Sequence, residues 1–353
     1  MNKAQKKWLF ISVGISVVAL VVMLLLTFDT ETLVALEKCN PWYILLGFLL
    51  HILSIVFWAL RIKLMCWSLG YRVPFFHSVN LICANMLVAA VTPSQVGGEA
   101  VRVYELYKSD VPTADATAVV LMERVFDGIV LGVGTVIGVY LLGKMFSHLN
   151  FPAVYMGVAY FATFFFIGAL LLFAVLVKRS QWAKIIVAKV SRHFTRRWDS
   201  QKIDRLLGML DENIDRFYVT IGHFGGRSKI GMALGLLMTV AFWVSEFIIA
   251  SVLMVGLGLE PRFLISFIFQ LLIAMIMMIP LTPGGVGVAE VSIAAFYSII
   301  IPLPLVGVFV LLWRLTVPVF SSTAKTLVRS RGSEATSSTR TSPRTSRTSS
   351  PTR

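Results

Sequence analysis

Charge is scarce in this chain. Asp, Glu, Lys and Arg make up 14% of its 353 residues, against 57% hydrophobic residues and a mean hydropathy of +0.81. Soluble domains carry roughly 25% charged residues, so this scarcity excludes an ordinary water-soluble globule. Cysteine is rare too: Cys39, Cys66 and Cys83 are odd in number and lack CxxC or metal-ligand spacing, so no disulfide framework is implied. The five histidines show no HxxxH or HxxE spacing, so His51 and His77 are expected to satisfy local hydrogen bonds rather than bind metal. There is no G-x-S-x-G elbow, no Walker A loop and no zinc pattern. No polar stretch has the size of a catalytic domain. An enzyme driven by ATP within this chain is therefore not expected, and neither a cofactor nor a metal nor a catalytic residue is assigned.

What the chain has instead is long apolar runs. About 18 or more such residues in succession suffice to cross a bilayer. The run 8–28 follows a basic start (Lys3, Lys6, Lys7); it is too long for a signal-peptide core and no cleavage site closes it, so it is expected to be retained. Further runs lie at about 41–60, 114–143, 151–177, 229–256 and 302–323. The net charge of +14 sits outside them: Lys178–Lys229 carries 12 basic and 5 acidic residues, and Ser321–Arg353 carries 7 and 1. The positive-inside rule accounts for this excess more simply than nucleic-acid binding, which is not expected. It places both termini in the cytoplasm of a multi-pass plasma-membrane protein. Helix 41–60 then ends inside at Arg61, Lys63 and Arg72.

That topology leaves two segments that must enter and leave on one side. The first runs from an apolar stretch at 75–91 through "TPSQVGGE" to a short helix at 98–108. The second runs from 263–280 through "TPGGVG" to 288–300. The expected fold is thus all-α, with about six spanning helices and two re-entrant hairpins in an inverted-topology repeat, 41–143 and 229–323, as in many secondary transporters. An offset of 190 residues aligns Thr92 with Thr282, Pro93 with Pro283, Val96 with Val286, Gly97 with Gly287 and Arg124 with Arg314. Thr-Pro and Gly recur at helix breaks in general; the arginine pair is what chance explains poorly.

Backbone that leaves helical geometry inside a bilayer is tolerated only where protein or a watery cavity satisfies it. Gly97, Gly98, Gly284, Gly285 and Gly287 permit a turn and close backbone approach, and Pro283 lacks a helical donor. The short helices that follow would aim their N-termini inward, where free N–H groups and the helix dipole suit a phosphate or carboxylate. A plain structural fit of the breaks to a crowded bundle is the alternative. Ionisable residues in the same region are Glu99, Arg102, Glu105, Glu123, Arg124, Asp127, Glu246, Glu290 and Arg314. Each charge at mid-membrane costs about 2.5–3.5 kcal/mol on insertion scales, so these need partners and a purpose. Glu123 and Asp127 share a helix face, and Glu99 and Arg102 are close enough to pair. Glu123 and Arg314 lie at equal depth, about 13 Å, which puts an ion pair between them within reach. Arg124 and Arg314 stand out because arginine grips phosphate bidentately.

Residues 178–228 read as two amphipathic helices with basic flanks on the cytoplasmic leaflet or capping the bundle, and 326–353 as a disordered basic Ser/Thr/Arg tail. Residues 1–325 make one transmembrane domain.

"TPSQVGGEAVR", "ERVFDG" and "TPGGVGVAE", in that order, resemble the motifs of the lysylphosphatidylglycerol synthase transmembrane-region family. The resemblance covers about 8–325 and implies a lipid-translocating domain. It favours Gly97, Gly98, Glu99 and Arg102 in the first motif, Glu123, Arg124 and Asp127 in the second, and Pro283, Gly284, Gly285, Gly287 and Glu290 in the third. The family's aminoacyl-transfer domain is missing here, as is the glycosyltransferase domain of another branch that works near polyprenyl-phosphate sugar carriers. The expectation is a flippase-like protein that moves an anionic or polyprenyl-linked lipid headgroup between leaflets. Membrane lipids are its partners and a separate lipid-modifying enzyme is a candidate one. The rival readings are a membrane-embedded enzyme acting on a lipid pyrophosphate and a non-transporting scaffold.

Overall fold

The computed structural model describes residues 30–37, 39–91, 96–145, 229–278 and 287–317, with a dozen scattered positions between 157 and 220. Among the described residues every regular element is an α-helix: α1 (Thr30–Glu37), α2 (Pro41–Ser68), α3 (Phe75–Val91), α4 (Val96–Tyr107), α5 (Thr113–Met145), α6 (Lys229–Gly256), α7 (Phe263–Met278), α8 (Val288–Tyr297) and α9 (Leu303–Thr316).

Local sequence sets the ends of the long helices. Asn40 caps α2, its side chain accepting the Trp42 amide at 3.1 Å, and Pro41 occupies the first turn, where its missing N–H costs nothing. At the other end Gly70 takes φ +91° and the Tyr71 amide donates back to the Cys66 carbonyl at 3.0 Å. Helix α6 closes the same way, with Gly258 at φ +74° and the Leu259 amide on the Met254 carbonyl at 3.0 Å. Both helices have 28 residues. That is about 42 Å of helix, more than the ~30 Å of a bilayer's hydrocarbon layer. With α5 they are the three helices among the described residues long and apolar enough to cross a membrane.

Helices α2 and α6 pack along their whole length and run antiparallel. Tyr43 lies opposite Gly256, Gly47 opposite Leu253, Met65 opposite Gly235 and Ser68 opposite Gly231. Small residues let the two backbones approach, as is usual where lipid cannot drive helices together by the hydrophobic effect. A Cβ added at Gly231 would collide with the Cβ of Ser68. On the outward side, Leu45, Leu49, Leu53, Val133, Ile137, Leu237 and Val240 are exposed, an apolar surface suited to lipid tails.

Each half of the chain has its own core. Ile55, Ile62, Leu81, Leu106 and Val119 bind α2–α5 into one cluster. Leu253, Phe269, Ile293 and Phe309 bind α6–α9 into another, to which α5 contributes Leu142. Helix α3 packs on α4, and α7 on α8, while α5 and α9 follow each pair.

Several expectations change. The helix expected over 41–60 continues to Ser68, so Arg61 lies within it rather than at its cytoplasmic end. Lys63 and Trp67 face outward on the same stretch, but Arg61 is fully buried. The first basic residue of a run marks the interface only when its side chain points outward. The last expected span, 302–323, is described to Val317, with its helix at Leu303–Thr316. The run 8–28, the tail 326–353, most of 151–177 and all but three residues of 178–228 lie outside the described residues.

Candidate functional site

The first half holds a network of three arginines and three carboxylates at the meeting of α2, α4, α5 and α6, buried at its centre. Arg61 is its hub. Its Nε donates to Glu123 Oε1 at 2.9 Å and its Nη1 to Asp127 Oδ1 at 2.7 Å. Glu123 and Asp127 are one turn apart on α5, so a single guanidinium reaches both. Trp58 Nε1 donates to Glu123 Oε1 and Trp243 Nε1 to Asp127 Oδ1, each at 3.0 Å. Arg102, on α4, donates from Nη1 to Glu123 Oε2 at 2.6 Å. Hence every oxygen of the Glu123 carboxylate has a donor, which is the condition for keeping a charge out of water.

The network's rim is more open. Arg124 Nε donates to Glu99 Oε1 at 2.8 Å, and Arg124 Nη1 reaches Asp127 Oδ2 at 3.5 Å. The side chains of Glu99 and Arg124 are 38% and 39% exposed, while those of Glu123 and Arg102 are fully buried. Six charged groups therefore balance three against three, graded from sealed to half-open.

The first motif's glycines sit differently from expectation. Helix α4 already starts at Val96, so Gly97 and Gly98 belong to its first turn rather than to a turn between helices. Gly98 serves close approach: a Cβ there would lie 2.5 Å from Asn85 Oδ1 and 3.1 Å from the Ala89 Cβ on α3. Glu99 and Arg102 come within 4.0 Å, but Glu99's closer partner is Arg124.

The second half places Arg314 Nε 3.2 Å from Glu290 Oε1. Glu290 also accepts the Gly287 amide at 2.8 Å, capping α8, where Gly287 adopts φ +83°. That positive φ favours glycine, which has no Cβ to clash. The Glu123–Arg314 pair expected from equal depth does not form. Glu123 is held by Arg61 and Arg102, and Arg314 by Glu290, because each arginine takes the carboxylate of the short helix or span packed beside it. The halves nonetheless share a pattern: Arg124 on α5 meets the acid in the first turn of α4, and Arg314 on α9 meets the acid in the first turn of α8. Pro283, Gly284 and Gly285 lie outside the described residues.

Glu246 is separate from both groups. On α6 it lies 2.8 Å from His51 Nδ1 of α2, and the Ser54 hydroxyl bonds to the same carboxylate oxygen. On α4, Glu105 pairs with exposed Lys108 at 2.9 Å. In the first turn of α5, Asp115 accepts from Tyr71 and from Thr220, each at 2.5 Å, which ties one residue of the insert to the bundle.

Sequence reasoning missed Arg61 and the two tryptophan donors as members of the network; His51 does make a hydrogen bond, as expected, but its partner Glu246 lies 195 residues away rather than nearby. Arg61 carries a signal in retrospect, since apolar residues flank it on both sides (Ala59, Leu60, Ile62, Leu64, Met65). Among the described residues, no three His, Cys, Asp or Glu side chains converge as metal ligands.

The profile of the lysylphosphatidylglycerol synthase TM region matches residues 9–323. The chain belongs to that family. It is 31% identical over 306 residues to a UPF0104 membrane protein of Archaeoglobus fulgidus, covering 86% of this chain and 91% of that one. A UPF0104 membrane protein of Methanothermobacter thermautotrophicus is 28% identical over 295 residues, 82% and 84% of the two chains. Similarity extends to the glycosyltransferase AglD of Haloferax volcanii, 24% identical over 311 residues, which are 82% of this chain but 48% of AglD. Family and spanning helices together make this a multi-pass membrane protein.

Proposed function

We propose that this member of the family is flippase-like and moves an anionic or polyprenyl-linked lipid headgroup between the leaflets of the plasma membrane. The observation that carries the reading is the balanced network of Arg61, Arg102, Arg124, Glu99, Glu123 and Asp127 inside an apolar bundle. Burying the charges of Arg61, Arg102, Glu123 and Asp127 is costly, and intramembrane charges usually mark a substrate path. Arginines and helix N-termini hold the phosphate; Glu246 and the other acids position a cationic substituent or carry a coupling proton.

The architecture we propose for this task has six spans and two re-entrant hairpins, α3–α4 and α7–α8, arranged as an inverted repeat. Two observations support it. The long helices that open each half, α2 and α6, have equal length and matching ends yet run antiparallel. The Arg124–Glu99 and Arg314–Glu290 pairs join corresponding helices. Rocking of one repeat against the other would expose the network to each side in turn. The transmembrane domain is taken as 1–325, with the insert 178–228 on the cytoplasmic side, both termini cytoplasmic and 326–353 a basic tail. Similarity to a protein named a glycosyltransferase, which this chain matches over 48% of its length, favours a separate lipid-modifying enzyme as partner.

The test is leaflet-to-leaflet movement of labelled phosphatidylglycerol, its lysyl form and a polyprenyl-phosphate sugar in proteoliposomes. Wild-type protein moves one of them, and Arg124→Ala and Arg314→Ala, still folded, do not. Normal transport by both variants refutes the site. Release of phosphate from a lipid pyrophosphate, with no lipid movement, makes the protein an enzyme instead.

A further inference from the structure

Arg102 is fully buried, yet its guanidinium is only one-third engaged. Nη1 donates to Glu123, while Nε and Nη2 have no hydrogen-bond partner. These two nitrogens form the lateral edge of the guanidinium, whose two parallel N–H groups match two oxygens of one oxyanion. Buried donors are almost always satisfied, so an unpartnered bidentate edge calls for an explanation. Its position offers one. A helical side chain leans toward the N-terminus of its own helix, and Nη2 lies 4.0 Å from Glu99 in the first turn of α4. The edge therefore faces the end of α4 whose amides and dipole favour an anion. The indole of Trp58 stacks against the same guanidinium, 5.7 Å from centroid to Cζ, and holds it in place.

We propose that the Nε–Nη2 edge of Arg102, with the first turn of α4, is the seat of a lipid phosphate, and that Glu99 covers it until the phosphate arrives. The inference deepens the transport reading by naming the receiving atoms and the chemical class of the headgroup. Lipid phosphate is the oxyanion present at highest local concentration around a membrane domain. Glu99 is suited to cover the edge because it is half-exposed, tethered to the rim residue Arg124, and near enough to Arg102 to compete for it. Phosphate would displace it by pairing side-on with Arg102, leaving Glu99 on Arg124. Arg102 stays anchored throughout by Glu123, which Arg61 and Trp58 hold independently.

Calorimetric titration of the purified full-length protein in an uncharged detergent tests this. The probes are dihexanoylphosphatidylglycerol, farnesyl phosphate, inorganic phosphate and hexanoate. At least one phosphate probe saturates and hexanoate does not; whether inorganic phosphate suffices separates a free phosphate seat from one that needs a lipid. Arg102→Lys keeps the charge but loses the edge, and weakens binding at least about tenfold. Glu99→Gln, on the exposed rim where folding is not at stake, removes the competitor and strengthens binding. No binding of any phosphate probe, preference for hexanoate, or unchanged affinity in Glu99→Gln overturns the seat. Phosphate binding that depends on Arg102 without lipid movement in proteoliposomes upholds the seat and refutes transport; movement indifferent to Arg102→Lys does the reverse.

Discussion

Replacing Arg61 by methionine removes the hub of the buried network while keeping its volume apolar. Two carboxylates lose unequally. Glu123 retains Arg102 at 2.6 Å and Trp58 at 3.0 Å. Asp127 retains Trp243 at 3.0 Å but only a 3.5 Å contact to Arg124. Each charge-assisted hydrogen bond lost is worth about 1.5–3 kcal/mol, and breaking a buried ion pair from one side about 3–5 kcal/mol. The expected destabilisation of Arg61→Met is therefore about 3–5 kcal/mol, most of it charged to Asp127. On the order of 2–4 °C per kcal/mol, Tm in detergent falls by roughly 10 °C. Adding Asp127→Asn removes the stranded charge and recovers a substantial part of the loss. Arg124→Met is the control: it deletes the same charge from a half-exposed site, where an ion pair is worth about 0–1 kcal/mol. Thermal unfolding followed by tryptophan fluorescence compares the three. Equal Tm values for Arg61→Met and wild type refute the reasoning and return Arg61 to the membrane surface.

Further outcomes follow from the same geometry. Gly231→Ala forces its Cβ against Ser68 and destabilises the α2–α6 contact by about 1–3 kcal/mol, and Ser68→Gly in the same chain relieves it; a double-mutant cycle on Tm measures the coupling. Glu246→Ala strips His51 of its acceptor, leaving Ser54 the His51 carbonyl, and costs about 1–3 kcal/mol, whereas Glu246→Gln keeps an oxygen there and costs visibly less in the same melting assay. Gly287→Ala places a side chain at φ +83° and costs about 1–2 kcal/mol, read as a lower Tm with helical content unchanged by circular dichroism.

Much of the helical layout was legible in the chain. The starts expected at 75, 229, 263 and 288 are the starts found, because apolar runs and Gly/Pro breaks are local signals that a bilayer sharpens. The structure adds that Glu99 and Glu290 sit in the first turns of their short helices. The roles of charges were not legible. Arg61 looked like a cytoplasmic flank because the positive-inside rule reads position along the chain and is blind to which way a side chain points. Equal depth suggested Glu123 for Arg314, but depth says nothing about rotation around the bundle, and Glu290 is the nearer neighbour.

The sequence by itself determined that this is a helical membrane protein of a particular family, where several of its helices begin, and that charge is held among them. Those are properties of short windows, set by hydropathy, helix length and capping. The tertiary structure alone decided who pairs with whom. Arg61 meets Glu123 and Asp127 across 62 and 66 residues of chain, and His51 meets Glu246 across 195. Such partnerships depend on the rotation and close approach of α2, α5 and α6, which small residues and two separate apolar cores fix in three dimensions. The unpartnered edge of Arg102 is likewise visible only there, because it is what remains once the neighbouring donors Arg61, Trp58 and Trp243 have been assigned to Glu123 and Asp127.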